Sequence, residues 1–186
     1  MRRFLFCILT IPTLFIAAAF AQPDVPKSEK PTVADFEKRV KRYVERREHW
    51  RKTLPPMPEK ATPEQIQAFK ASLQKLVLAD RVNARQGDLF TQQVSRLLKE
   101  LIAKEFKGWE RTELRKTVLE ADTKGVPLKV NAIYPESKEL VEMSPALLLA
   151  LPQMPRELRY RFIGRSLAIL DRDNGMILDF MKNALP

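Results

Sequence analysis

The stretch LRYRFIGRSLAILDRDNGMILDF, residues 158–180, decides the fold class of this chain. Apolar side chains alternate with others in three short runs, which is the period of a β-strand. Gly164 separates the first two runs, and Asn174-Gly175 precedes the third. Asn-Gly is among the strongest local signals for a hairpin turn. The stretch therefore predicts a small antiparallel sheet near the C-terminal end.

The segment that precedes this stretch has weaker signals. Residues 128–134 alternate apolar and polar side chains between Pro127 and Pro135. Because proline cannot donate a hydrogen bond to a neighbouring strand, this pattern predicts an edge strand. Ser144 is a good N-cap for a short helix over residues 146–151, which the next proline ends.

Two long helices are predicted in the first half of the chain from apolar side chains at helical spacing. The first begins near Thr32 as its N-cap and ends before the prolines at 55–58. The second opens with Thr62-Pro63-Glu64-Gln65, which combines an N-cap, a first-turn proline and a capping-box glutamine. Gly87 is expected to cap its C-terminal end.

Two further helices are predicted after Gly87, one from Thr91 to Gly108 and a shorter one over residues 111–122. The chain is therefore expected to be α+β: an antiparallel bundle of about four helices (32–125) that carries a small β-rich C-terminal part (126–186). Residues 22–31 contain three prolines among polar residues and predict a flexible leader.

The N-terminal 21 residues have the pattern of a secretory signal peptide. Arg2 and Arg3 form a basic start, an apolar run follows from Phe4 to Phe20, and small residues stand at 19 and 21. The run is short for a membrane span, so we expect cleavage after Ala21 and a periplasmic or secreted protein. An uncleaved anchor is the alternative.

Composition bounds the partners of the processed chain. Cleavage removes the only cysteine, Cys7, and leaves 165 residues without disulfides, which is long enough to bury a core. It also takes the 33 basic residues to 31 against 23 acidic ones, a net charge of +8. Anionic lipid head groups, envelope polymers or an acidic envelope protein are plausible partners, and specific nucleic-acid binding is not expected. Ordinary solubility explains the same charge.

Four charged residues form the candidate site. Arg47 lies in the apolar stripe of the first helix, and Asp80 lies in that of the second. Opposite charges at one helix interface are expected either to meet or to bond other polar groups, since a buried unpaired charge is costly. Arg85 and Asp88 extend the cluster. The cluster is either a buried ion-pair network or a polar pocket for a ligand.

Catalytic and metal signatures are weak. His49 is the only histidine, on the polar face of the first helix, so neither a triad nor a histidine metal site is predicted, and no cofactor is expected. Residues 171–175, DRDNG, lack the spacing of a calcium loop and predict a tight turn. Carboxylates mostly stand beside Lys or Arg at helical spacing, which is typical of surface pairs.

Two resemblances add to these observations. Residues 160–180 resemble the C-terminal hairpin of periplasmic proteins linked to nickel and cobalt homeostasis, although one histidine and no cysteine remain to bind a metal. The segments ARQGDLF (84–90) and LKVNAIYP (128–135), together with the hairpin, resemble a group of uncharacterised exported bacterial proteins. That likeness implies export and a shared fold without an activity.

These observations favour an exported binding protein without catalytic function. Its expected partner is another envelope protein or an anionic envelope component, and its oligomeric state is open. The alternatives are a hydrolase that uses carboxylates and arginine at Asp80, Arg85 and Asp88, and a metal-homeostasis protein by the likeness of the hairpin.

Overall fold

A computed structural model describes residues 25–107, 112–139 and 143–186. The predicted signal peptide and its cleavage site lie outside these residues. Within the described residues, a short 3-10 turn, Lys27–Glu29, precedes five helices and three strands. The helices are α1 (Lys30–Thr53), α2 (Pro63–Asp80), α3 (Gln92–Glu105), α4 (Thr112–Glu120) and α5 (Pro145–Ala150), and the strands are β1 (Leu158–Ile163), β2 (Ser166–Asp171) and β3 (Ile177–Met181).

The α+β prediction with a C-terminal antiparallel sheet is confirmed. The strands follow the order β1-β2-β3, and both neighbouring pairs are antiparallel. The pairing of Ile163 with Ser166 makes Gly164-Arg165 a two-residue hairpin loop. Gly175 has a φ of 70°, as the predicted Asn-Gly turn requires, and its N–H donates to the Asp171 carbonyl.

The N-caps of three helices follow the sequence signals. Thr62 and Gln65 form the expected capping box at α2, with the Thr62 N–H 2.9 Å from Oε1 of Gln65. The side chains of Thr91 and Ser144 accept hydrogen bonds from the backbone N–H groups three residues on, at the start of α3 and α5. Local capping chemistry therefore sets where these helices begin.

Both faces of the sheet are covered. Helical residues and one sheet face form the main core, in which Leu98, Leu158 and Ile169 are fully buried. A smaller core on the other face joins Leu170 and Ile177 to residues 126–134. Every residue of β2 is buried for this reason. The sheet therefore lies between the helices and the segment that precedes α5.

The predicted start of the first helix is wrong. α1 begins at Lys30 rather than after Thr32, and Glu29 is its N-cap. The Thr32 hydroxyl donates to the Glu29 side chain instead. Proline fits the first turn of a helix, so Pro31 lies inside α1. The end of the predicted leader is therefore helical, and Val25 packs against the core.

The predicted edge strand at 128–134 is also wrong. This segment lies beside β3, but only Ile133 forms an isolated bridge, to Met176. Asn131 has a φ of 66°, and the Ala132 N–H donates to the Lys129 carbonyl. These turns break the extended backbone that regular pairing needs. The apolar alternation placed the segment correctly on the sheet edge without making it a strand.

Gly87 is not the cap of α2. That helix ends at Asp80, and Gly87 lies six residues beyond the cap residue Arg81. Its φ of 93° allows a tight loop between α2 and α3.

Among the described residues, no helix has the length and hydrophobicity needed to cross a lipid bilayer.

Candidate functional site

The structure separates the predicted pair of Arg47 and Asp80. Arg47 is buried, at 1% exposure, but its Nε donates to Oδ2 of Asp171 at 2.8 Å. Its Nη1 contacts Glu48 at 2.6 Å, and its Nη2 pairs with Asp173. The prediction that Arg47 meets Asp80 is therefore wrong, although its inward position on α1 is confirmed.

Arg47 and Asp171 form a sealed structural network. The Tyr43 hydroxyl donates to the same Asp171 oxygen at 2.8 Å, and Asp171 Oδ1 accepts the N–H groups of Asp173 and Asn174. Burial lowers the pKa of Arg47, but the carboxylates of Asp171 and Asp173 outweigh it and raise the pKa above its ordinary value. The network holds α1 on the turn between β2 and β3, which confirms the tight turn at residues 171–175.

Asp80 pairs with the neighbour of its expected partner. Arg46, which is more than half exposed, forms a salt bridge with the Asp80 carboxylate. Arg85 and Asp88 are both exposed, and Asp88 Oδ2 accepts the Arg85 backbone N–H at 2.7 Å. Three of the four predicted site residues therefore lie near the end of α2, and Arg47 lies apart from them in the core.

An open cleft of about 450 Å³ lies between α1 and the loop that follows α2. Asp80 and Asp88 line it, consistent with the pocket alternative, whereas Arg85 does not. We call it the Arg81 cleft. Its lining residues are Arg39, Arg42, Tyr43, Arg46, Asp80, Arg81, Asn83, Ala84, Asp88 and Leu89. Four arginines and two aspartates give this lining a positive balance.

Arg81 is the residue that the sequence analysis missed. Its Nε donates to Oδ1 of Asn131 at 2.9 Å, and its Nη2 donates to the Leu178 carbonyl at 2.6 Å. Its guanidinium lies over the Tyr43 ring, 5.3 Å from the centroid. Burial lowers the pKa of Arg81, against the opposing effect of the surrounding acidic groups. All these direct partners are uncharged.

The remaining arginines of the cleft differ in how they are neutralised. Arg39 binds Asp35 at 2.7 Å and the Asp88 carbonyl at 3.2 Å. Arg46 is paired with Asp80. Arg42 is exposed, and neither it nor Arg81 forms an ion pair with any residue of the described part of the chain. The cleft therefore presents two guanidinium groups without a direct counter-ion.

Asp179 shapes the wall of this cleft. It is fully buried in β3, and its carboxylate accepts the backbone N–H groups of Gly87, Leu89 and Phe90. The Phe180 N–H is a fourth donor. Burial raises the pKa of Asp179, while these donors oppose the rise. The Asp179 carboxylate thus holds the loop after α2 through these hydrogen bonds and positions Asp88 and Leu89 at the cleft.

Both aspartates of the cleft are held by other groups. Asp80 is held by Arg46 and Asp88 by a backbone N–H, so neither carboxylate is aimed freely into the cleft. His49 is exposed and contacts the Trp50 ring edge-on. Within residues 25–107, 112–139 and 143–186, no group of three or more His, Cys, Asp or Glu side chains could hold a metal ion.

A sequence signal for the missed carboxylates does exist. Asp171 and Asp179 each interrupt an apolar β-run, and a carboxylate in such a run is buried only when polar groups satisfy it. That signal identifies the two residues but not their partners, because Arg47 and the N–H groups at 87–90 are distant in sequence. Arg81 directly follows Asp80 at the helix end and has no distinctive pattern.

Comparison with family models, with curated proteins and with solved structures gives no match for this chain.

Proposed function

We propose that this chain is an exported, periplasmic or secreted protein that binds an anionic envelope component in the Arg81 cleft without catalysing a reaction. The ligand group is a phosphate or carboxylate, as lipid head groups, envelope polymers and acidic proteins carry. The observation that carries the proposal is Arg81, a half-buried cation at the cleft whose direct partners are all neutral.

Arg81 is a partly buried charge without a full set of partners in the described part of the chain. A charge removed from water needs either an opposite charge or a full set of hydrogen bonds. Asn131 and Leu178 take two of its N–H groups, while Nη1 takes part in no hydrogen bond among the described residues. An oxyanion at the cleft gains a charge-assisted hydrogen bond there.

Arg42 and Arg46 extend this site toward solvent. Arg42 is exposed at the cleft and is unpaired within the described residues, so it supplies a second cation at no cost in broken contacts. Arg46 exchanges part of its salt bridge for a ligand oxygen. The net charge of +8 that the processed chain keeps, 31 basic against 23 acidic residues, raises the local concentration of anions and makes their association sensitive to salt.

Isothermal titration with glycerol 3-phosphate, the head-group unit of anionic lipids, tests the proposal. The expected result is one binding site whose affinity falls when the ionic strength is raised. Arg42→Gln with Arg46→Gln lowers the affinity about 30-fold or more, because each of the two lost charged contacts is worth about 1 kcal/mol or more. The matched control, Lys38→Gln with Lys52→Gln, removes the same charge from exposed positions of α1 outside the cleft.

The controls separate a site from bulk charge. The lysine pair is expected to leave the affinity within about twofold of the wild type. Equal weakening by the lysine and arginine pairs would show that net charge alone attracts the probe. No heat of binding at low salt would overturn the proposal.

Export has its own test. The proposal predicts that the protein isolated from its native source begins at Gln22 and lacks Cys7. Mass spectrometry of that material measures this directly. If the protein is cytosolic and retains Cys7, export and an envelope partner are both contradicted. The class of ligand for the cleft would then be undefined.

A carboxylate-dependent hydrolase is the second candidate. The observation in its favour is that Asp80 and Asp88 both line an open cleft rather than a sealed core. It predicts hydrolysis of ester or phosphate-ester substrates that Asp80→Asn or Asp88→Asn reduces by about 100-fold or more, as for loss of a general acid or base. Activity that both variants retain would belong to a contaminant.

A further inference from the structure

A second group of arginines lies where β1 begins and β2 ends. The Arg172 N–H donates to the Glu157 carbonyl at 2.8 Å, which extends the β1–β2 pairing by one position. Arg172 is therefore diagonal to Arg159 on one face of the sheet. The Nε of Arg172 donates to the Leu158 carbonyl at 3.2 Å, which holds its side chain against the strand.

These two guanidinium groups lack a counter-ion within the part of the chain that the structure describes. Burial lowers the pKa of Arg159, and the charge of Arg172 lowers it further. The nearby Asp171 is occupied by Arg47 and Tyr43, and Asp173 pairs with Arg47. Neither Arg159 nor Arg172 forms an ion pair with a residue that the structure describes. The two like charges therefore repel each other, and an anion between them relieves that repulsion.

Two clefts meet at these arginines, and both residues line each of them. The first, of about 320 Å³, is mainly polar and includes Gln74, Tyr134 and Asn174. The second, of about 420 Å³, has a largely apolar wall that includes Leu148, Leu149 and Met154. We call the two together the Arg159–Arg172 groove. Each volume is that of a small-molecule site rather than of a macromolecular interface.

Unpaired buried donors lie in the polar part of the groove. Asn174 is 2% exposed, and its Oδ1 accepts the Met176 N–H at 2.9 Å. Among the described residues, its Nδ2 has no hydrogen-bond partner, and neither has the buried Nε of Arg159. A buried donor without an acceptor costs about 1–3 kcal/mol, so such donors are rare in folded proteins. Asn174 and Arg159 both line the part of the groove that an oxyanion would occupy.

The apolar part of the groove is open to solvent. Leu148 is 42% exposed and Leu149 is 54% exposed, next to each other on the short helix α5. Large apolar side chains that remain accessible beside a recessed pair of cations suit a ligand with one charged end and one apolar end. Charge complementarity fixes the sign of the head group as negative.

We propose that the Arg159–Arg172 groove binds a monomeric single-chain anionic amphiphile. Its oxyanion head group lies between Arg159 and Arg172 on the Asn174 side, and its hydrocarbon chain lies along Leu148 and Leu149. This site shares no lining residue with the Arg81 cleft. The two proposals can therefore be tested independently, and failure of one would not contradict the other.

Titration of the purified protein with dodecanoate below its micelle concentration tests this proposal. The expected result is saturable one-to-one binding, with an affinity that Arg159→Gln together with Arg172→Gln lowers about tenfold or more. Leu149→Glu lowers it to a similar degree, because it removes apolar contact and adds a like charge. Leu149 is mostly exposed, so this variant keeps the fold, and circular dichroism checks all variants.

The controls distinguish binding in this groove from attraction by bulk charge and from adsorption to a membrane. Lys38→Gln with Lys52→Gln removes two exposed charges outside both sites and leaves dodecanoate binding unchanged. Dodecyltrimethylammonium, which has the same chain and the opposite charge, does not bind. Absence of dodecanoate binding, equal binding of the cation, or loss of binding in the lysine variant would each overturn the proposal. Binding to phosphatidylglycerol vesicles without binding of free dodecanoate would assign the surface to a membrane and also overturn it.

Discussion

At the scale of single residues, two adjacent arginines of α1 differ in burial and in the partner that each one binds. Arg47 is buried with Asp171, which is fully buried too, whereas Arg46 reaches a partly exposed Asp80 at the surface. A buried charge that loses its partner costs far more free energy than an exposed one, since water cannot replace the lost contact. The same chemical change at the two positions therefore has different consequences.

Arg47→Met is expected to lower the free energy of unfolding by about 3–5 kcal/mol, because it leaves the Asp171 carboxylate buried without its cation. Arg46→Met, the matched control one position earlier, lowers it by about 1 kcal/mol or less. Urea denaturation followed by circular dichroism measures both. Similar losses in the two variants would contradict the network described here.

A double-mutant cycle separates the real partner of Arg47 from the one that the sequence suggested. The effects of Arg47→Met and Asp80→Leu on stability are expected to add, since these residues do not bond to each other. The effects of Arg47→Met and Asp171→Leu are not expected to add, by about 1 kcal/mol or more. Additivity in both cycles would remove Asp171 as the partner.

At the scale of elements, the loop between α2 and α3 is held by a strand rather than by its own helices. Asp179 of β3 accepts N–H groups from Gly87, Leu89 and Phe90. Those donors have no helical partners, because α2 ends at Asp80 and α3 begins at Gln92. The position of the cleft wall therefore depends on one buried carboxylate.

Asp179→Asn replaces one carboxylate oxygen with an NH₂ group that faces backbone donors. It is expected to lower stability by about 2 kcal/mol or more and to speed hydrogen exchange at the amides of Leu89 and Phe90. Asp122→Asn, at an exposed ion pair with Lys138, is the control and leaves that exchange unchanged. Unchanged protection at residues 87–90 in Asp179→Asn would show that other contacts hold the loop.

At the scale of the whole molecule, the sequence predicted the helices and strands better than the contacts between residues that are distant in the chain. Helical spacing predicted the first helix, in which Phe36, Val40 and Tyr43 are buried, and strand alternation with an Asn-Gly turn located the sheet. These patterns involve residues close together in the chain, so they can be identified from the sequence without knowledge of the tertiary structure. The partners of Arg47 and Asp179 lie about 90 to 126 residues away, and only the packing of helices on the sheet brings them together.

The candidate site was predictable to a similar degree. Asp80 and Asp88 line a cleft, but the cation that distinguishes it, Arg81, depends on Asn131 and Leu178 for its position. Asn131 adopts a left-handed φ that broke the predicted edge strand. The error in the fold and the omission from the site therefore have one origin, in the irregular backbone at residues 128–134.

The three tyrosines report on the integrity of the whole fold. Burial, with Asp171 nearby, raises the pKa of Tyr43 well above 10.0, and burial also raises those of Tyr134 and Tyr160. The folded state thus favours neutral phenols, so stability is present below pH 10 and is lost as the pH rises above the unfolded-state pKa. Absorbance at 295 nm is expected to rise only together with unfolding measured by circular dichroism. Ionisation of two or more tyrosines in the folded protein near pH 10 would contradict this burial.

The most direct test of the central claim is an NMR titration of the wild-type protein with glycerol 3-phosphate, which follows backbone amides and arginine Nε–H groups. Binding in the Arg81 cleft predicts the largest shift changes at Arg42, Arg46 and Arg81, with saturation and little change at Arg159 and Arg172. Changes spread evenly over the basic surface, or confined to residues outside the cleft, would contradict it.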